Sequence, residues 1–163
     1  MCKAIIALLP ILIIGCATNY IAKGGDSGYS SMQINESSYR VSFDGNELTS
    51  AERATDFALL RCAELTMNGN FRFFTIIRDE SFVEKKEIVE PSTISTKTEA
   101  VAKDSTHTTT TITPGRTTSH SMPRISYIIS CMNEKPNQLY YDAKIISDEI
   151  RRKYKISPSA GLK

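Results

Sequence analysis

The sequence predicts an α+β fold: a small mixed sheet of three to four strands packed by two helices, in the order β-α-β-β-α, with a long Ser/Thr-rich insertion. Three observations predict it. Tyr39-Arg40-Val41-Ser42-Phe43 and residues 125–132 alternate with period two, the pattern of half-buried strands. Two other segments carry apolar residues at helical spacing, Ala54, Phe57, Ala58, Cys62 and Leu65 in one and Ala143, Ile146, Ile150 and Tyr154 in the other. Between them, 16 of the 32 residues in 91–122 are Ser or Thr.

The chain begins with an address. Met1-Cys2-Lys3 carries one positive charge, and residues 4–14 form an apolar run broken only by Pro10. Gly15 then precedes Cys16. A basic start, a short apolar stretch and a small residue at the cut mark a secretory signal. The run is too short to cross a bilayer, which takes about 20 apolar residues. Ile13-Ile14-Gly15-Cys16 resembles the bacterial lipobox, with Ile13 where Leu is commoner. That resemblance implies cleavage before Cys16 and lipid on its sulfur. Membrane attachment needs more than one acyl chain to be stable, and a lipoprotein's multiple chains on one residue meet that need. Ala17, not Asp, follows Cys16, which by resemblance to enterobacterial sorting favours the outer membrane.

The expected boundaries follow: residues 1–15 signal, 16–27 flexible tether, 28–90 and 123–156 one α+β domain, 91–122 insertion, and 157–163 tail. Loss of the signal leaves 163 − 15 = 148 residues, one domain's worth. A formal net charge of +2 gives no reason to expect a nucleic-acid partner or a polybasic membrane patch. No later apolar run reaches membrane-spanning length.

Taken in order, residues 18–27 are small and polar and read as the tether. The alternating strand at 39–43 ends in the turn residues Asp44-Gly45-Asn46. Thr49-Ser50-Ala51-Glu52 reads as a capping box with Thr49 as the cap. Gly69, between Asn68 and Asn70, reads as a left-handed stop. Residues 71–77 form a second strand, rich in aromatic and β-branched side chains. A right-handed crossover then makes the first two strands parallel and not necessarily adjacent. Residues 84–90 alternate in charge and read as a solvated strand extension or loop.

The Ser/Thr-rich insertion cannot bury enough apolar surface to offset its ordering entropy, so it reads as mostly disordered. The alternative is an exposed hairpin of residues 106–113 and 116–121 turning at Pro114-Gly115. A third strand at 125–132 puts Ile125, Tyr127, Ile129 and Cys131 on one face, antiparallel to the second strand. Asp142 caps the last helix, and Arg151, Arg152, Lys153 and Lys155 load its C-terminal end, which suits the helix dipole.

Gly28-Tyr29-Ser30, the run from Tyr39 through Asn46, Thr49, Arg61-Cys62-Ala63-Glu64-Leu65-Thr66, Gly69 and Phe73-Phe74 together resemble the CC0125/CC1285 family of bacterial lipoproteins, named after Caulobacter members. Tyr141-Asp142-Ala143 looks like the start of that family's last helix. Cys62 stands where relatives have Ala, and the Thr-rich insertion departs from the family pattern. The resemblance implies a location and a domain type, and no activity.

Chemistry-bearing residues are sparse. His107 and His120 lie thirteen apart in the Thr-rich segment, with no Cys or carboxylate at metal spacing. Ser119-His120-Ser121 places hydroxyls beside an imidazole without triad geometry. Asp79-Glu80 reads as a solvated strand end. Neither a P-loop nor a dinucleotide fingerprint nor C-x-x-C occurs. Arg61 and Glu64, three residues apart, form a structural pair tying the helix to the sheet edge or to Gly28-Tyr29-Ser30, or else part of a recognition surface. Cys62 and Cys131 lie where a helix stripe and a strand face can meet, so a disulfide and two buried thiols are both open.

Two functions remain. One is a non-catalytic envelope lipoprotein, its membrane partner engaged through lipid on Cys16, binding or supporting another envelope protein in the periplasm. The other is an anchored enzyme or small-ligand binder with a site assembled from scattered residues, which predicts a pocket lined by Arg61 or Glu64. No cofactor or nucleic acid is expected in either, and the oligomeric state is open.

Overall fold

A computed structural model describes residues 17–102 and 105–157. The signal segment, Cys16 and the last six residues lie outside the described residues. The elements are β1 (Gly28–Asn35), β2 (Ser38–Asp44), α1 (Ala51–Asn68), β3 (Phe73–Asp79), β4 (Phe82–Glu90), β5 (Thr93–Ala102), β6 (Ser105–Thr113), β7 (Arg116–Met132), β8 (Tyr141–Asp142) and α2 (Ala143–Tyr154).

The fold is α+β with two helices, as the periodicities predict. The sheet is larger than the expected three or four strands: it has six, in the order β1-β2-β7-β3-β8, with β4 also on β7. Every pairing between these strands is antiparallel, so the expected mixed sheet is corrected. β2 and β3 do run parallel, because each is antiparallel to β7, which lies between them.

Period two decides what is buried. Val41 and Phe43 of β2 and Ile125, Tyr127, Ile129 and Cys131 of β7 share the face covered by α1. Ala54, Phe57, Ala58, Leu60, Cys62 and Ala63 of α1 meet them, and α2 adds Ala143 and Ile150 beside α1. The opposite sheet face carries small polar rows. Ser30, Ser42 and Ser126 are cross-strand neighbours, and the Ser30 and Ser42 hydroxyls lie 2.8 Å apart. Phe73, Ile128 and Met132 share that face, so it is mixed and not wholly polar.

Local signals are shifted by a residue at both ends of α1. Ser50, not Thr49, is the N-cap, accepting from the Arg53 N–H at 3.1 Å. The left-handed residue after the helix is Asn70, at φ 60°, whereas Gly69 has φ −79°. Asp142 caps α2 as predicted, accepting from the Lys144 and Ile145 N–H groups.

The expected tether is the largest departure near the N-terminus. Thr18 and Tyr20 are buried at 5% and 7% exposure. The Thr18 N–H donates to Thr49 Oγ1 at 3.1 Å, and Thr18 Oγ1 accepts from the Asn46 N–H at 3.0 Å. Ala22 bridges to Tyr29. Gly28 sits at φ +114°, and a Cβ there would lie 2.7 Å from the Ile21 carbonyl oxygen, so the segment closes onto a backbone only glycine allows. Thr49 is missing from the helix cap because its hydroxyl holds Thr18.

The Ser/Thr-rich stretch is also extended. Residues 93–102 pair with 105–113, and residues 116–122 begin β7. Pro114-Gly115 is therefore not the turn of a hairpin between 106–113 and 116–121, since those two segments pair with β5 and β4. Phe82 pairs with Arg124 and Glu90 with Arg116; Thr93 pairs with Thr113 and Ala100 with Thr106. Partner numbers sum to 206 from Phe82 through Ala100, so the two ladders share one register across an interruption at Pro91-Ser92 and Pro114-Gly115, and the register shifts only at the tip, where Ala102 pairs with Ser105. Arg78↔Ile128 of β3 and β7 has the same sum. Two core strands thus run on into one long hairpin arm. At 3.3 Å per residue, the 21 residues from Phe82 to Ala102 have a contour of about 70 Å.

Candidate functional site

A strand pair running past its helix leaves two places where function can sit: the polar junction that fixes the N-terminal segment, and the arm itself.

The junction is built on α1. Arg61 and Glu64, one turn apart, lie on the side of α1 that faces β1 and α2. Both are buried, Glu64 with no exposed surface. Arg61 Nη1 donates to Glu64 Oε2 at 3.2 Å, and the Tyr20 hydroxyl donates to the same oxygen at 2.5 Å. Arg151 of α2 reaches Oε1 through Nη2 at 2.6 Å. The Arg61 guanidinium lies 4.6 Å over the Tyr29 ring, with Nη2 3.3 Å from Ser31 Oγ. Arg151 also donates to Ser147 Oγ. One carboxylate therefore joins four elements: the N-terminal segment, β1 through Arg61, α1 and α2.

Burial pushes the Glu64 carboxyl above its usual range, while donation from Tyr20 and Arg61 and the charge of Arg151 pull it back. Burial, then the Glu64 charge beside it, pushes the Tyr20 hydroxyl far above its ordinary value. A buried carboxylate between two guanidiniums is costly to strip of one partner. It ties the N-terminal segment to both helices. Three open surface grooves are lined by Asp56, Glu149 and Lys153, by Arg72, Tyr140 and Asp142, and by Arg72, Lys144 and Asp148, together with their neighbours; neither Arg61 nor Glu64 lines them.

Cys62 and Cys131 are brought to the same helix–sheet interface as free, buried thiols. Thr66 Oγ1 donates to the Cys62 carbonyl at 2.7 Å and lies 3.3 Å from Cys131 Sγ. Burial pushes both thiols up, Cys62 more strongly, so neither is poised as a nucleophile. The remaining candidates are separated. His120 Nδ1 lies 2.5 Å from Glu47 Oε2, while strand alternation sends Ser119 and Ser121 to the other face. The side chain of His107 is outside the described residues. Asp79 accepts from the Ser81 N–H, and Glu80 meets Arg78 at 3.5 Å and Arg40 at 3.7 Å. Among the described residues, no cluster of three or more His, Cys, Asp or Glu could hold a metal ion.

The arm is rooted where the N-terminal segment docks. Arg124, opposite Asp44 at the end of β2, meets the Asp44 and Glu84 carboxylates at 3.4 and 2.8 Å and donates to the Asp26 carbonyl at 2.8 Å. The Gly45 N–H donates to the Pro123 carbonyl at 2.8 Å. Beyond that root the pattern of burial stops. All of β4 is exposed, including Phe82, Val83, Ile88 and Val89. Ile94 and Ile112, cross-strand partners nearer the tip, are exposed too. At the interruption, a Cβ on Gly115 would lie 2.6 Å from the Glu90 carbonyl oxygen, so a side chain there would force the two strands apart.

Sequence reasoning identified the Arg61–Glu64 pair but not Tyr20 or Arg151, the partners that complete it. Nothing local marks a tyrosine in a polar stretch as a core residue, and Arg151 read as one of several helix-end cations. No protein-family model, curated protein or solved structure matches this chain.

Proposed function

We propose that this protein is a lipid-anchored lipoprotein of the bacterial envelope, at the outer membrane and facing the periplasm. It is a non-catalytic α+β module of the kind the lipoprotein resemblance implies, and its hairpin arm contacts another envelope component. The observation that carries the reading is the burial of Thr18 and Tyr20 so soon after Cys16. Two residues of chain reach about 7 Å at most. Lipid on Cys16 therefore holds the domain against the bilayer and not at the end of a swinging leash. The Arg61–Glu64–Arg151 junction serves this arrangement by locking Tyr20, and so the direction of the anchor, to both helices. The arm leaves the domain at the end where Thr18 meets Asn46 and Thr49, so in this reading its root lies near the anchored end of the chain. No helix among the described residues is long and apolar enough to cross a membrane, and in this reading lipid alone provides attachment.

Cys16→Ser tests the anchor. The substituted protein is expected to lose membrane fractionation and to keep the uncleaved mass. Unchanged mass and membrane partition relative to the native chain would end the proposal. Photo-activatable residues at Val89 and Thr117, on the exposed arm, test the contact: adducts to an envelope protein are expected there and not at Lys144 on the far helix.

A further inference from the structure

We infer that the partner of the arm is a second copy of this chain, paired antiparallel along the outer edge of β4 with Lys86 on the two-fold axis. The inference deepens the proposed envelope contact and rests on it.

An isolated two-stranded ribbon is marginal in water, and this one continues for some twenty residues beyond the helix layer, with residues 82–99 exposed on both faces. Among the described residues β4 pairs only with β7, which leaves its other edge open along nine residues. Open edges of that length pair with something unless they are guarded. The side chains on β4 decide with what. On one face the order is Val83, Lys85, Glu87, Val89, which reads the same in both directions apart from the sign of the two charges. Val83 and Val89 are 53% and 69% exposed. Among the described residues neither Lys85 nor Glu87 takes part in an ion pair, whereas Glu84 on the opposite face is already held by Arg124.

Turn a second β4 antiparallel and centre it on Lys86. Val83 then faces Val89 of the other copy, Lys85 faces Glu87, and each contact occurs twice by symmetry. Such an interface is isologous and closes at two copies. On the other face Lys86 meets its own counterpart across the axis, with Glu84 of the other copy one diagonal step away, within reach of a long side chain. On the face of Val83 and Val89 the alternating charges that would guard an edge against an unrelated strand are thus complementary to themselves, while the Lys86 pair on the axis is a like-charge contact that works against pairing. Anchoring of both copies to one bilayer raises their effective concentration without any new contact.

The test uses the full lipidated chain in membranes. Lys86→Cys places two thiols opposite each other in an antiparallel pair, at a spacing a disulfide can bridge. Mild oxidation is expected to give a covalent dimer with Lys86→Cys and none with Thr118→Cys, which lies on β7 across from Ile88. Adding Glu87→Lys to Lys86→Cys sets like charges opposite each other twice and is expected to cut dimer yield about tenfold. Adding Lys85→Glu as well is expected to restore it. Unchanged thermal melts would show that these exposed substitutions leave the fold intact. A Lys86→Cys chain that stays monomeric, or a charge swap that does not restore dimer, overturns self-pairing. If Val89 then cross-links to a different envelope protein, the contact reading survives without self-pairing. If Val89 captures only lipid, or nothing, both fall.

Discussion

β7 is one strand with two lives. From Ile125 to Cys131 every second residue is buried against α1; from Arg116 to Ser121 none is. The backbone pairing is the same in kind, and past the irregularity between Ile76 and Arg78 one register runs from the end of β3 into the arm. The difference is the helix layer. Inside the domain α1 supplies a second surface, so alternation becomes burial and burial becomes stability. Beyond Arg124 no second layer exists among the described residues, and the strand is held by its ladder and its anchoring root. The chain uses the core to set the geometry of the arm, and the arm contributes little to the core.

The comparison predicts effects of graded size. Phe57 packs edge-on against Phe43, Tyr20 and Tyr154. Phe57→Ala should destabilise by about 3–5 kcal/mol in urea unfolding, the largest single loss here. Glu64→Ala leaves Arg61 and Arg151 facing each other without their shared carboxylate and should cost about 3 kcal/mol, read in the same experiment. A loss below about 1 kcal/mol would mean that the junction relaxes into water and does not lock the N-terminal segment.

Tyr20→Phe removes one hydrogen bond to a carboxylate and should cost about 1.5 kcal/mol near neutral pH. It also sharpens the comparison through pH. Tyr20, Cys62 and Cys131 all have pKa values raised by burial above ordinary values of 10.0 and 9.0. In each case the folded state favours the protonated form. Their contribution is therefore complete below about pH 9 and is lost as pH climbs through 9 and 10, where the unfolded chain ionises and the folded chain does not. Unfolding midpoints measured from pH 8 to 11 should fall, and the fall above pH 10 should be shallower in Tyr20→Phe.

The smallest effect belongs to the arm. Val89→Ser, at a position 69% exposed, should change unfolding free energy by less than about 0.5 kcal/mol in dilute protein. A larger loss that grows with protein concentration would place Val89 inside an interface, which is the condition under which the arm stops being independent of its surroundings.

The elements with a second layer were legible as sequence. Val41 and Phe43, Ile125 to Cys131, and the stripes of α1 and α2 repeat at the period of the structure they form, because burial on one side imposes that period. β1 was not legible. Gly28-Tyr29-Ser30-Ser31-Met32-Gln33-Ile34-Asn35 hides little beyond its first residues, and it is a strand because β2 offers it an edge; the Asx turn at Asn35, whose side chain accepts from the Ser37 N–H at 3.0 Å, was the available clue. Composition misled in residues 91–122. Low apolar content argued for disorder, but strands in register need no core when they extend strands that already have one, and threonine suits them. Pro114-Gly115 looked like a turn and is half of a matched interruption, with Pro91-Ser92 across the ribbon.

By itself, then, the amino-acid order determined what any local stretch can do: which segments alternate, which wind, where a cap sits, and which residues read as an address. Tertiary structure alone decided what lies opposite what. Whether Thr18 and Tyr20 swing free or are buried, whether Glu64 meets one arginine or two, and how far β7 runs past its helix are set by partners dozens of residues away. Periodicity reports the burial of a face; it carries no information about the distant group that covers it.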